Sequence, residues 1–222
     1  MVRFETKASN GYDGGTLLEQ RSQTGTLSGG DAHASWRVDV SGLTASGAGQ
    51  RATGVGASAS SSRRFGDALS GAVAVGADQF VGWSPVVTGS ATISARAGHR
   101  VTVDATVQRQ RVQENAETFK RGLMASGLLV NVARHTERTS LSASGAIDTL
   151  SDGNQRRQVS ASVSRALTQG RSQLRGVGWA QVQSYEHPAD TYFAPDRFVC
   201  VDAGAEYVLS ITPPRFSGDQ IG

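Results

Sequence analysis

Apolar and polar residues alternate along most of this chain with a period of two, which is typical of β-strands. In the stretch 86–108, Ile93 and Val103 belong to the apolar rows, whereas Thr92 and Asp104 belong to the polar rows. An Ala-Gly-His break separates the two halves of this stretch, so the pattern predicts a long β-hairpin. It also predicts a sheet with one apolar face and one polar face.

The same alternation recurs along the chain and predicts about twelve strands, most of them about eight to fourteen residues long. Strands in globular sheets usually have roughly 5–6 residues, whereas roughly 9–11 are needed to cross a bilayer at a tilt. Turn-forming residues such as Asn10-Gly11 and Asp152-Gly153-Asn154 separate the runs. The stretch from Glu114 to Met124 is predicted to be a polar loop that leads into a strand from Gly122, in preference to a short helix.

Composition bears on what covers the apolar face. Only 38% of the 222 residues are hydrophobic, and the apolar rows consist mainly of Val and Ala. Such rows contain too few large side chains to fill a two-sheet core, which must be densely packed. They suit a face that contacts lipid. No run of 18 apolar residues occurs, so a closed β-structure is the expected way to span a membrane. We therefore expect an all-β, antiparallel up-and-down transmembrane β-barrel over residues 1–222, possessing about twelve strands of its own or forming part of a larger barrel.

Both ends of the sequence suggest a piece of a longer precursor. Met1-Val2-Arg3-Phe4 enters a strand-like segment directly, without the charged and apolar regions of a signal peptide. At the other end, Pro213-Pro214 would halt a strand, and a polar tail follows from Arg215. We expect an internal fragment that lacks an upstream domain and the closing strands of the barrel.

Charge and reactive residues point away from several classes of function. The net charge of +3 comes mostly from scattered arginines, with Lys7 and Lys120 as the two lysines, so nucleic-acid binding is not expected. Cys200 is the single cysteine, and the histidines stand in no metal-binding spacing. No nucleophile elbow, phosphate loop or dinucleotide motif occurs. We expect no enzymatic activity, no metal and no cofactor.

One segment has a pattern of its own. A long strand reaches Tyr185, a polar loop follows, and Tyr-Phe-x-Pro-x-Arg-Phe leads into the next strand. Aromatic residues at such a point either mark the membrane interface or fold inward and fix the loop. The motif residues are Tyr192, Phe193, Pro195, Arg197 and Phe198.

This order of strand, loop and motif resembles the C-terminal outer-membrane barrel of the cellulose-exporting protein encoded in the cellulose synthase operon. It is also similar to the barrels that follow tetratricopeptide repeats in exporters of poly-N-acetylglucosamine. The resemblance implies a pore in the bacterial outer membrane that secretes an exopolysaccharide, as in cellulose biosynthesis and biofilm formation. Its implied partners are outer-membrane lipid, the polysaccharide in transit, and an inner-membrane synthase complex reached through a periplasmic repeat domain. Within these 222 residues we expect three departures from that family, namely the lack of a repeat domain, of a signal peptide and of a closing strand, and only 6% of the residues are aromatic.

If the resemblance holds, the polar face lines the lumen, because hydroxyl and charged groups exchange hydrogen bonds with a sugar polymer at little net cost. The predicted lining residues are Arg96, Thr102, Asp104, Thr106, Ser160, Ser162, Asp202 and Glu206. Three alternatives stay open: another outer-membrane barrel such as an autotransporter translocator or general porin, a soluble secreted β-sheet adhesin, and a cytoplasmic β-rich binding module.

Overall fold

Twelve strands and one short helix make up the chain in a computed structural model that describes residues 2–13, 16–47, 50–112, 116–168, 172–190 and 192–209. The strands have 11 to 15 residues, long enough to cross a bilayer at a tilt. Their bounds are β1 (Val2–Asp13), β2 (Thr16–Gly30), β3 (Ala34–Gly47), β4 (Gln50–Arg64), β5 (Leu69–Phe80), β6 (Val86–Ala97), β7 (Val101–Arg111), β8 (Met124–His135), β9 (Thr139–Leu150), β10 (Gln155–Ala166), β11 (Ser172–Tyr185) and β12 (Phe198–Leu209).

The strands form a single antiparallel sheet in which each strand pairs with its neighbours in sequence, from β1 to β12. This confirms the expected all-β, up-and-down architecture and its twelve strands. Over their described lengths β1 and β12 are the two edges of the sheet and are not hydrogen-bonded to each other. The sheet is therefore open. The predicted end of the last strand at Pro213-Pro214 and the tail from Arg215 lie outside the described residues.

Of two predicted turns, at Asp152-Gly153-Asn154 and at Asn10-Gly11, the structure contains the first and lacks the second. Asp152-Gly153-Asn154 connects β9 to β10, and Gly153 has a φ of 94°, a left-handed conformation that glycine adopts without strain. The prediction of a turn at Asn10-Gly11 was wrong. These two residues lie inside β1, opposite Glu19 and Leu18 of β2. Because Asp13 pairs with Thr16, the chain reverses direction after Asp13.

The predicted loop between β7 and β8 contains a helix, α1 (Ala116–Arg121), so that prediction was wrong for these six residues. Gly122 follows with a φ of 67°, as is common just after a helix, and the next strand begins at Met124. Phe119 is only 2% exposed, which identifies packing of its ring as the interaction that holds so short a helix. No helix among the described residues is long and apolar enough to cross a membrane.

The two faces of the sheet differ in exposure as well as in composition. On the apolar face, defined by the rows that contain Ile93, Val107 and Val159, these side chains are 62%, 63% and 62% exposed. On the polar face, defined by the rows that contain Thr92 and Ser160, most side chains are only partly exposed. In a single-layered sheet this difference means that the sheet curves toward its polar face. The apolar valines are thus not packed against a second protein layer in the described part of the chain.

The connections differ between the two ends of the sheet. At the turn end, the described connections are the short turns at 31–33, 65–68, 98–100 and 136–138. The loop end carries the longest connections, which join β7 to β8 through α1 and β11 to β12, together with the turns 81–85 and 151–154 and the tight reversals where Asp13 pairs with Thr16 and Gly47 with Gln50. Two clusters of buried apolar side chains lie at the loop end, and the connections with α1 and with residues 186–197 contribute to them. The core of the molecule is therefore concentrated at one end of the polar face.

Candidate functional site: the polar face and its loop end

Hydroxyl groups on neighbouring strands meet in pairs along the polar face. Thr92 and Thr106 share a hydrogen bond of 2.9 Å, and Ser144 and Ser160 share one of 2.7 Å. These pairs arise because the register places like positions of adjacent strands opposite each other. Each hydroxyl keeps further capacity to donate or accept, so the rows form a wettable surface. Two more such pairs are Thr24 with Ser41 and Ser142 with Ser162, each at 2.8 Å.

The register places all eight residues predicted to line a lumen on this face. Arg96 lies opposite Thr102, and Thr106 lies opposite Thr92. Asp104 accepts a hydrogen bond of 3.4 Å from the amide of Asn131. At the β12 edge, the backbones of Asp202 and Glu206 lie opposite Trp179 and Arg175, and both acidic residues are exposed. The last two, Ser160 and Ser162, are in the hydroxyl pairs described above.

A row of glutamines on β10 and β11 was not among the predicted lining residues. Gln158 and Gln181 lie 3.4 Å apart, Gln181 bonds Gln183 at 3.0 Å, and Gln183 donates to the hydroxyl of Tyr185 at 3.1 Å. The three glutamines and Tyr185 lie on the same face as the serines. On β11 this face also carries Val177 and Trp179, so the alternation is weak there. The glutamines extend the polar face from the hydroxyl pairs toward the loop end.

At the loop end an arginine is held by aromatic rings. The guanidinium of Arg111 lies 4.5 Å from the ring centre of Phe119 and 5.6 Å from that of Phe80. Its Nη1 donates a hydrogen bond of 2.9 Å to the backbone oxygen of Phe119. Phe80, Trp83 and Phe119 contact one another with ring centres 5.1 to 5.5 Å apart. The connection with α1 is thereby fixed to the end of the polar face.

Beside this cluster, Asp148 and Arg156 form an ion pair in which two nitrogens of the guanidinium donate to one carboxylate oxygen. The Oδ2 of Asp148 accepts from Nε of Arg156 at 3.0 Å and from its Nη2 at 2.7 Å. The two side chains are 3% and 15% exposed, so the pair is largely shielded from solvent. Asp148 lies on β9 and Arg156 lies on β10, and the register places the two residues opposite each other. The attraction and the two hydrogen bonds offset the cost of removing both charges from water.

In the Tyr-Phe-x-Pro-x-Arg-Phe segment, the tyrosine takes the inward-folding role, which was one of the two expected. Tyr192 is 5% exposed and folds inward against Tyr185, with ring centres 5.7 Å apart. Phe193 is 45% exposed and makes an edge-to-face contact with Phe198 at 5.3 Å. Pro195 offers its backbone oxygen to the amide of Tyr185 at 3.1 Å, and Arg197 is exposed. The segment thus fixes the last loop onto the polar face through its tyrosine.

At the turn end, the side chain of Asp31 closes the turn between β2 and β3. Oδ1 of Asp31 accepts the amides of His33 at 2.7 Å and Ala34 at 2.8 Å. These bonds favour the ionised carboxyl and lower the pKa of Asp31 below its ordinary value.

Among the described residues, no three His, Cys, Asp or Glu side chains are grouped so that they could hold a metal ion.

No protein-family model and no curated protein matches the chain. Among solved structures, the fold is similar to that of a chain described as a bacterial polysaccharide outer membrane secretin, with a TM-score of 0.68 and 13% sequence identity. The match covers 82% of this chain and 61% of the other, so this chain spans about three fifths of the length of that structure. A likeness at this identity shows the fold that the two share.

Proposed function

We propose that this chain forms most or all of the wall of an outer-membrane pore through which a bacterial exopolysaccharide leaves the cell. The observation that carries the proposal is the contrast between the two faces of one sheet. Ile93 and Val159 stand exposed on the apolar face, whereas the hydroxyl pairs occupy the polar face. The likeness to a polysaccharide outer membrane secretin supports the same role.

Exposed valines on one whole face of a sheet call for a lipid environment. Contiguous apolar surface of this extent is unfavourable in water and promotes association. Hydrocarbon removes that penalty without requiring close packing from the protein. This argument disfavours the soluble adhesin and the cytoplasmic binding module, and it favours the bacterial outer membrane as the location, with lipid as the partner.

The polar face suits a neutral sugar polymer. Serine, threonine and glutamine side chains replace the hydrogen bonds that a sugar makes with water, with little net gain in free energy. A passage must bind its cargo weakly at many points if the cargo is to leave again. We propose a cellulose-like polymer or poly-N-acetylglucosamine as the cargo, with Arg96, Thr102, Asp104, Thr106, Ser160, Ser162, Asp202 and Glu206 in the lining.

The lengths of the connections suggest an orientation. Bacterial outer-membrane barrels have short turns on the periplasmic side and longer loops on the outer side. The turn end would then face the periplasm, where a repeat domain of the same export system would connect the pore to an inner-membrane synthase complex. The loop end, with α1 and the connection 186–197, would face the exterior.

Photo-crosslinking in a polymer-secreting bacterium tests the proposal. A photoreactive amino acid at position 160 would replace Ser160 on the polar face, and the matched control would replace the adjacent Val159 on the apolar face. We expect crosslinks to the polysaccharide from position 160 and crosslinks to lipid from position 159. Crosslinks to other proteins from both positions would contradict a pore. Lipid crosslinks from position 159 with no sugar at position 160 would favour a porin or an autotransporter translocator.

A further inference from the structure

The three tryptophans of the chain occupy three different environments. Trp83 packs in the aromatic cluster at the loop end. Trp36 lies on the apolar face near the turn end, where tryptophan favours a membrane interface. Trp179 lies in the middle of β11 on the polar face, opposite Ser162 of β10 and Asp202 of β12. The polar face therefore carries one large aromatic ring among its hydroxyl and amide groups.

The indole of Trp179 is accessible, since the residue is 38% exposed. Within the part of the chain that the structure describes, no group forms a hydrogen bond with its N–H and no aromatic ring contacts it. The other two environments, a packed cluster and a lipid interface, do not apply to it. Its ring and its N–H are thus available to a molecule that occupies the polar side of the sheet.

An open cavity of about 250 Å³ lies beside this ring. The residues of the polar face that line it form two rows across β10, β11 and β12, namely Ser162, Trp179 and Asp202, and then Ser164, Val177 and Gly204. Because Gly204 has no side chain, the second row leaves space beside the indole. The cavity is smaller than the roughly 300–1,000 Å³ of pockets that enclose a whole small molecule, so it suits one unit of a longer ligand.

Hydrogen-bonding groups flank the ring on both neighbouring strands and on its own. Asp202 is exposed, and its carboxylate accepts hydrogen bonds. The hydroxyl of Ser162 shares a hydrogen bond of 2.8 Å with Ser142 and keeps capacity for another. The amide of Gln181, which both donates and accepts, occupies the next position of the same row on β11. The site thus combines a flat apolar surface with donors and acceptors around it.

This combination matches a pyranose ring whose hydroxyls are equatorial. The two faces of such a ring present C–H groups, and its rim presents hydroxyls. The electron-rich face of an indole attracts polarised C–H groups, while the rim hydroxyls exchange hydrogen bonds with Asp202 and Ser162. The carboxylate of Asp202 would repel a uronic acid. A small cation would engage the ring and the carboxylate and leave the hydroxyl and amide groups unused.

We propose that Trp179 is a stacking platform for one sugar ring of the exported polysaccharide, with Asp202 accepting hydrogen bonds from the hydroxyls of that ring. The inference rests on the proposed export function and makes it more specific. The platform lies halfway along the wall of the passage, and it favours neutral sugars with equatorial hydroxyls over uronic acids.

Saturation-transfer NMR with cellohexaose tests the platform on the full-length chain in detergent micelles. Saturation of the aromatic resonances should pass mainly to the C–H protons on the faces of the sugar. We expect Trp179→Leu to weaken binding about tenfold. Trp36→Leu makes the same change on the apolar face and should leave the affinity unchanged. Trp179→Phe, which retains a smaller ring, should keep part of the affinity and serves as the test if Trp179→Leu does not fold.

The charge of Asp202 is tested by a gain of binding, which misfolding cannot produce. Wild-type protein should exclude an oligouronate, and Asp202→Asn should admit it because the repulsion is removed. Glu206→Gln removes a charge from the same face of β12 and should continue to exclude the oligouronate. Heat-modifiable migration on a gel establishes that each variant is folded.

Four results would overturn the platform. Equal affinities of Trp179→Leu and Trp36→Leu would place the sugar elsewhere, and absence of cellohexaose binding to wild-type protein would leave the ring without a sugar. Binding of the oligouronate by wild-type protein as tightly as cellohexaose would contradict the neutral class. Tighter binding of tetramethylammonium than of cellohexaose would identify a cation site. The crosslinking of polymer from position 160 reports on export itself, so the platform can fail while the pore stands.

Discussion

Asn154 and Tyr192, which are 38 residues apart in sequence, meet through a hydrogen bond of 2.9 Å from the asparagine Nδ2 to the tyrosine hydroxyl oxygen. The tyrosine hydroxyl in turn donates to Oδ2 of Asp152 at 2.9 Å. Asn154 also donates to the backbone oxygen of His187 at 2.7 Å and accepts from its amide at 3.1 Å. The turn between β9 and β10 and the loop between β11 and β12 are therefore joined into one unit.

Replacing Tyr192 by Phe should release this loop. The change removes the hydroxyl that accepts from the buried Asn154 and donates to the exposed Asp152, at a cost of about 1–2 kcal/mol. If the loop opens locally, the His187 amide should exchange with solvent roughly tenfold faster, which NMR or mass-spectrometric hydrogen exchange measures. Tyr207→Phe, on the exposed apolar face, is the matched control. Unchanged exchange at His187 would mean that the ring of Tyr192, and not its hydroxyl, holds the loop.

An arginine at the centre of the apolar face should oppose membrane insertion. Ile93→Arg places a charge on a side chain position that is 62% exposed on that face. We expect a loss of roughly 2–4 kcal/mol in the free energy of folding into liposomes, the value for mid-depth positions of outer-membrane barrels. Ser90→Arg, on the polar face of the same strand, should have a much smaller effect. Equal losses for the two variants would contradict a lipid-facing row.

The Asp148–Arg156 pair should contribute to stability as a unit. Asp148→Asn removes one charge and leaves the shielded guanidinium of Arg156 without its counter-ion, which we expect to destabilise the protein by about 3 kcal/mol. In the double variant Asp148→Asn, Arg156→Met, part of that loss should be recovered. A double-mutant cycle from urea unfolding in liposomes measures the coupling. Additive effects of the two substitutions would mean that the ion pair adds little.

The Asp31 turn should be sensitive to acid. Because the backbone amides of His33 and Ala34 lower the pKa of Asp31 in the folded protein, its contribution to stability is complete above the unfolded value of about 3.9. That contribution is lost as the pH falls through the lowered folded pKa. NMR titration of the Ala34 amide should report a midpoint below about 3.9, and Asp31→Asn should abolish the transition. A midpoint at or above that value would contradict the two backbone hydrogen bonds.

Alternation predicted the strands and their faces because the period of two is a local property that each strand carries by itself. The rows of Ile93 and Ser160 could thus be assigned to opposite faces from sequence. The contacts at the loop end could not be predicted from the sequence. Tertiary packing brings together Arg111 and Phe80 there, and it also brings together Asn154 and Tyr192. The helix at Phe119 is also too short to show a helical period, and its stability comes from contacts with distant residues.

Spin-label accessibility along β10 tests the central claim, that the apolar face meets lipid and the polar face meets water. In a Cys200→Ser background, single labels would replace Val159, Ser160, Ala161 and Ser162 in turn, with the protein reconstituted in liposomes. Positions 159 and 161 should be accessible to oxygen, which partitions into lipid, and positions 160 and 162 to a water-soluble nickel reagent. Labels at 159 and 161 that are immobile and shielded from both reagents would show a protein layer over the valines and contradict the account.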